Sequence, residues 1–416
     1  MAEPRPRGLR RRTATAAAAV LLLAAACGGT GGDDGGAVPR DDPAAAPPDL
    51  PAAAIPPHLP SRAVWTAPFS SAPKAVGDAF VGPVASDGGL RFAGVGADGR
   101  TRWSAARNPS CTAFAATRGT DGRALVVLLD SDADTARGPL AVRTTAAALD
   151  PADGSTEWGP VPVPGTLVGP GLVFAAQSGS VLSADSGPKT ALDPATGAVV
   201  ADEAAGDEIL HEHEGALLVH RGGELRGVDT ATGEELWRSS GLAVPERFAA
   251  AERGPVVGYG PRPVGDSSAV VVLEWRAATG GGHGYTVNDL RTGRLLAEFA
   301  GDREPRLVGG PGPAAVVEAA PADGSGGGVL VGLSADSSRP LWTRPAGSPR
   351  ARPESLADGV LYAASGDAAR AYDARSGEPL GTGSWRPPAA AITGGPALLT
   401  VPGSGGESFA AVAADG

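Results

Sequence analysis

From residue 61 to the C-terminus the apolar positions fall in short runs, at 125–129, 171–175, 216–220, 270–275, 329–333 and 360–364. Stretches rich in Gly, Pro, Asp and Ser separate them. No segment in that span keeps a helical period over eleven or more residues, so the pattern predicts an all-β chain. A phrase recurs between the runs: Asp at a strand end, two or three residues, Gly, then an apolar residue or Trp about four positions on. The clearest copy holds Asp229, Gly233 and Trp237. Others are Asp98 and Gly99 with Trp103, Asp150 and Gly154 with Trp158, Asp193 with Gly197, Asp289 with Gly293, 336–338 with Trp342, and Asp373 with Gly377. Asp and Thr or Ser side chains can hold the turn's N–H groups while Gly accepts a positive φ, giving a tight link between antiparallel strands. The aromatic residue then lies on an outer strand, where it can pack on the next repeat.

The turn positions 99, 154, 197, 233, 293, 338 and 377 lie about 46 residues apart on average, close to one blade of a WD40-like or kelch propeller. Gly/Pro-rich insertions at 260–265 and 280–284 fall in the widest interval, between 233 and 293, and are expected on loops between strands. Residues 409–416 copy the third strand and turn of a repeat and stop where a Trp-bearing strand is due. Residues 63–66, with Trp65, offer that strand at the other end. The expectation is an eight-bladed ring of four-stranded antiparallel blades, the last closed by the N-terminal strand so that two sheet edges are hidden. Seven blades is the alternative, because the first and fifth phrases diverge most.

Ahead of the repeats, residues 1–26 carry five Arg and then an apolar run from 14 to 26 that is too short to span a bilayer, the pattern of an export signal. Residues 21–27, LLLAAAC, resemble the lipobox of bacterial lipoproteins, which implies a lipid on Cys27; Ala24 stands where that pattern usually has Leu. A plain secretory signal with a chance cysteine is the alternative, and three adjacent Arg leave both general and twin-arginine export open. Residues 27–60 are read as a lipid anchor and a disordered tether rich in Gly, Pro, Ala and Asp, with a root-mean-square reach of about 30 Å. The propeller is assigned to 61–416.

Composition changes this picture little. The 62 Gly, 39 Pro and strong preference for Arg over Lys point to a GC-rich genome of actinobacterial type, and 42% hydrophobic residues suffice for a sizeable core. Two cysteines exclude a disulfide scaffold. A net charge of −11, without any basic stripe, argues against nucleic acid as a partner.

The Asp-x-x-Thr-Gly-x-x-x-Trp phrase, best at 191–197 and 227–237, resembles the tryptophan-docking repeat of the PQQ-like β-propellers. That superfamily spans quinoprotein dehydrogenases and BamB-like lipoproteins, so the resemblance implies the fold and leaves activity open. The quinoprotein enzymes imply a vicinal Cys pair, a Ca²⁺ site of Glu, Asn and Asp, and a catalytic Asp. Here only Cys111 remains beside Cys27, and Asn occurs only at 108 and 288. No catalytic residue and no cofactor are therefore expected.

One local cluster has metal-ligand chemistry, His211-Glu212-His213-Glu214. On a strand, His211 and His213 would share a face, with Asp207 as a possible third ligand. The preferred reading is a solvated loop or strand start ahead of 215–220, with no metal. His58, in the tether, His220 and His283 lie elsewhere, and no Ser-His-Asp arrangement is readable. Cys111 reads as a small buried hydrophobe, Trp275 and Trp385 as core. The expected function is a non-enzymatic, monomeric, extracytoplasmic module anchored at the outer face of the cell membrane, binding or scaffolding a protein, peptide or cell-envelope ligand, or sensing one. The alternative is a secreted quinoprotein-like oxidoreductase or a metal-dependent enzyme using His211 and His213.

Overall fold

The computed structural model describes residues 36–86, 89–132, 143–176, 187–249, 254–278, 282–301, 303–310, 314–323, 327–403 and 406–413. The expected signal peptide, Cys27 and the final turn at 414–416 lie outside them. Within them stand eight antiparallel sheets. Blades 1 to 7 are built from consecutive strands within 74–107, 114–163, 166–202, 208–238, 256–300, 306–345 and 352–383. Blade 8 takes its first three strands from 390–412 and its fourth from Ala63–Ala67. Ala67 pairs with Phe409 and Trp65 with Ala411, so the two ends of the ring are sewn into one sheet. The only helices among the described residues are three-residue 3₁₀ turns. The all-β, eight-bladed expectation holds.

Each middle strand is apolar on both faces because it is covered from both sides. In the strand Ala124–Ser131, Leu125, Val127 and Leu129 join the cluster of Leu172 and Phe174 in blade 3, while Val126 and Leu128 join that of Phe92 and Trp103 in blade 1. The two-residue period of a strand thus divides one run of hydrophobes between two neighbours.

The outer rim is held by the repeat phrase. Gly154, Gly197, Gly233, Gly293 and Gly377 have φ between +70° and +76°, and each donates its N–H to the carbonyl of the Asp four residues earlier. The Trp Nε1 of one blade then donates into the turn of the next: Trp103 to Pro151 O (2.9 Å), Trp158 to Pro194 O (2.8 Å), Trp237 to Leu290 O (2.7 Å) and Trp342 to Ala374 O (2.8 Å). A methyl on Gly154 would come within 2.7 Å of the Trp103 ring, and one on Gly99 within 2.6 Å of Trp65. Gly94, Gly227 and Gly332, each opposite a Trp on the adjacent strand, are filled by that same ring. Blade 3 brings no Trp to Gly233; there Thr230 Oγ1 donates to buried Asp193 (2.7 Å).

The expected tether is different in one respect. From residue 36 the chain lies on the ring. Val38–Asp42 adds a fifth strand to blade 1 beside Thr101–Arg107, Thr66 donates its N–H to Ala45 O on blade 8, and Pro57 lies against Gly381 of blade 7. His58 meets Tyr362 Oη at 2.7 Å, and Ile55 is buried. Backbone pairing needs no apolar period, so a segment rich in Pro and Asp can still serve as an edge strand. The compact unit accordingly begins at Gly35.

Two substitutions separate turn geometry from docking. Gly154→Ala and Gly233→Ala share the positive-φ strain, worth about 1 kcal/mol, but only Gly154 faces a Trp. Gly154→Ala is expected to lower the free energy of urea unfolding by at least ~1–3 kcal/mol more than Gly233→Ala; equal losses would remove the docking role. Trp103→Ala is expected to cost about 3–5 kcal/mol in the same measurement.

Candidate functional site

In a four-stranded meander the first-to-second and third-to-fourth turns open on the same face, and here that face surrounds a cavity of about 180 Å³ at the ring axis. Its walls come from the first strands of blades 1, 2, 4, 6 and 7 and from the loop after the first strand of blade 5. That loop, 260–268, contains the Gly/Pro-rich insertion and runs inward. Val264 N–H donates to Leu307 O (2.8 Å) in blade 6, Gly171 N–H of blade 3 donates to Asp266 O (3.0 Å), and Asp266 forms an ion pair with Lys74 of blade 1 at 2.7 Å. Blades 1 and 5 are opposite in an eight-membered ring, so this pair spans the axis. Lys74 also donates to Phe114 O at 2.8 Å and lies over the Phe114 ring.

The His211–Glu214 segment is the other half of the wall, which corrects the solvated-loop reading. Glu208–His213 is the innermost strand of blade 4, with His211 and Glu212 fully buried and His213 nearly so. Strand alternation sends both imidazoles toward blade 5 and Glu212 toward blade 3. His211 Nδ1 meets Tyr259 Oη at 3.0 Å and Nε2 meets Ser268 O at 2.9 Å; His213 Nδ1 meets Ser267 Oγ at 2.7 Å. Glu212 accepts from Leu172 N–H (2.7 Å) and Gly215 N–H (3.0 Å). Glu214, at φ +44°, turns back toward the cavity with Arg118 3.7 Å away.

The electrostatics follow from burial. Loss of hydration lowers the His211 pKa to about 3, helped by the neighbouring His213, and lowers His213 to about 4, helped by Arg291. Both rings are neutral across the physiological range. Desolvation lifts Glu212 to about 7 against the pull of its two backbone donors, and lifts Glu214 against the pull of Arg118.

As metal ligands the two histidines are poorly placed. Both His211 nitrogens are engaged, Asp207 is ion-paired to Arg221 at the strand's outer end, and only His213 Nε2 lacks a hydrogen-bond partner. Among the described residues no cluster of three or more His, Cys, Asp or Glu is placed to hold a metal ion. Cys111 is a buried free thiol in blade 2, its pKa raised by burial. Trp275 donates to Thr286 Oγ1 at 2.7 Å within blade 5, and Trp385 packs edge-on against Tyr362. The turn residues Asp98, Asp150, Asp193, Asp229, Asp289 and Asp373 all lie on the rim or between blades. Sequence reasoning missed Lys74, Asp266 and Ser267; the one available signal was that the 260–265 insertion is followed by an Asp and two Ser.

Comparison with known proteins places the chain within this architecture. A family model described as outer membrane protein assembly factor BamB matches residues 142–273 and 221–416. No curated protein matches the chain. Among solved structures, dihydro-heme d1 dehydrogenase NirN in complex with DHE is 13% identical, covering 76% of this chain and 66% of its own, at a TM-score of 0.34. A europium-containing methanol dehydrogenase is 12% identical, with 84% of each chain covered and a TM-score of 0.35. Sqt1 of Saccharomyces cerevisiae is 11% identical, covering 83% of this chain and 97% of its own, at 0.37. This chain thus spans just under two thirds of NirN, and similarity at this level carries nothing about activity.

The buried histidines generate a pH test. Below the ordinary imidazole value of 6.5, the unfolded chain takes up protons that the native rings at about 3 and 4 refuse, so each histidine makes stability fall as pH falls. Glu212 works the other way, holding a proton below about 7 that the unfolded carboxyl releases until 4.5. Removing one histidine isolates its share: His213→Asn is expected to make the decline in unfolding free energy between pH 6 and pH 5 shallower by about 1 kcal/mol per pH unit. Parallel profiles for the two proteins in urea titrations would show that the ring is not held neutral.

Proposed function

This chain belongs to the family of the outer membrane protein assembly factor BamB, within the PQQ-like β-propellers, and we propose that it is a non-enzymatic, lipid-anchored binding or scaffold module working outside the cytoplasm. The observation that carries the reading is the state of the axis. Quinone-dependent relatives are implied by the superfamily, so the fit of their cofactor is a direct test. The axial cavity of about 180 Å³ is below the ~300 Å³ at which pockets for drug-sized ligands begin. The Lys74–Asp266 pair crosses it, and its nearest carboxylates, Asp266 and Glu214, are paired with Lys74 and Arg118 rather than grouped as hard oxygen ligands for Ca²⁺. These residues do not fit a quinone with calcium.

What remains suited to binding is the surface. Residues of six blades line the axial cavity, on a scaffold rigid enough to present loops in fixed register. A protein or peptide partner fits that shape, and the BamB description of the family model is in keeping with it. Cys27 and the basic, apolar residues before it supply export and the membrane anchor in this reading.

Two measurements test it. Purified protein without residues 1–26, given pyrroloquinoline quinone and Ca²⁺, is expected to show neither a bound-quinone absorption band nor oxidation of alcohols or sugars. Turnover would overturn the reading. In cells fed a clickable palmitate, the full chain is expected to take up label and Cys27→Ser to lose it; equal labelling would refute the anchor.

A further inference from the structure

Away from the axis, the outer side of blade 1 carries a second concavity, a groove of about 650 Å³ between its strands and the segment that lies across them. Its described lining holds three arginines, Arg40, Arg91 and Arg107, against one carboxylate, Asp42. This is an inverted balance for a chain of net charge −11. Arg40 comes from the added strand Val38–Asp42 and Arg91 from the third strand of the blade. They converge on one hydroxyl: Arg40 Nε donates to Ser104 Oγ at 3.2 Å and Arg91 Nη1 at 3.5 Å. Ser104 is only 4% exposed. Among the described residues neither Arg40 nor Arg91 has a carboxylate within ion-pair distance. By accepting from both, the Ser104 oxygen holds the two guanidinium groups side by side.

We propose that this groove is a phosphate-binding site, with the Arg40 and Arg91 guanidinium groups, set side by side by Ser104, as its donors. Two guanidinium forks offer more N–H groups than the two oxygens of a carboxylate can accept. A phosphate monoester or diester, with its additional acceptor oxygens, matches them. Small residues at 93 and 106 leave the floor open to a group of that size. Because Arg40 belongs to the added strand, a bound phosphate bridges that strand to the blade, and occupancy holds residues 38–42 in place. The source of the phosphate is either a free phosphorylated solute or a phospholipid headgroup. The inference does not depend on what the axial face binds.

The test uses the full chain carrying Cys27→Ser, so that a lipid anchor does not itself bring it to membranes, and reads hydrogen exchange of the amides of residues 38 and 40–42. Inorganic phosphate is expected to slow their exchange in a saturable manner, weakened by added NaCl. Arg40→Gln and Arg91→Gln are each expected to raise the half-saturating phosphate concentration about tenfold, while Arg123→Gln, on blade 2, leaves it unchanged. Phosphatidylglycerol vesicles, with phosphatidylcholine vesicles as reference, form the second arm. Slowing by both phosphate and phosphatidylglycerol assigns a headgroup source, and slowing by phosphate alone assigns a free solute. No slowing by either probe, or slowing that survives Arg91→Gln undiminished while that variant keeps the wild-type melting temperature, would overturn the site.

Discussion

The ring depends on one contact repeated around its rim, an indole laid against a turn glycine of the next blade with its N–H bonded to a turn carbonyl. The contact is restrictive on both sides. The turn needs Gly for its left-handed φ and because any Cβ would enter the ring, and the strand beneath the indole needs Gly at 94, 227 and 332 for the same lack of space. A buried indole contributes a large apolar area and satisfies its single donor at a fixed point, so it sets the angle between blades as well as their affinity. Where the Trp is missing, a substitute appears. Asp193 with Thr230 links blades 3 and 4, and Pro57 covers Gly381 on blade 7.

Closing the ring puts the two ends of the chain under a shared constraint. Strand Ala63–Ala67 completes blade 8, and the segment before it runs over blades 8 and 1, so ring closure is reinforced from outside by residues of low hydrophobicity. The same economy holds at the centre. Eight blades leave an axial space, and an extended loop of blade 5 occupies it by pairing with blade 6 and by reaching Lys74 on the opposite side. Filling that space with backbone and polar side chains costs hydration that hydrogen bonds must offset. The strand of blade 4 answers with two neutral histidines and a carboxyl whose charge burial opposes.

A propeller centred in this way has its axial space narrowed by the blade 5 loop and the Lys74–Asp266 pair. The register of the turns around that space is held by the rim contacts. The groove on blade 1 is of another kind, since the added strand supplies part of its wall, and among the described residues neither Arg40 nor Arg91 has a carboxylate within ion-pair distance.

Fold class, blade number and the sewn last blade were legible because each rests on local chemistry repeated at a fixed period: Asp and Gly in turns, Trp four residues later, and a matching half-repeat at each end. Trp103 and Gly154 declare their roles within their own phrases. His211 and His213 do not, because whether a strand such as 208–213 meets water or another blade is set by what sits across the axis. Lys74 and Asp266 are distant in sequence and meet only when the ring closes, and residues 36–60 lack any apolar pattern because edge pairing uses the backbone. Local periodicity therefore determined the repeating unit, while the burial of the axis and the course of the N-terminal segment were decided by contacts between units, where the physical terms are desolvation and backbone pairing, and neither has a sequence period.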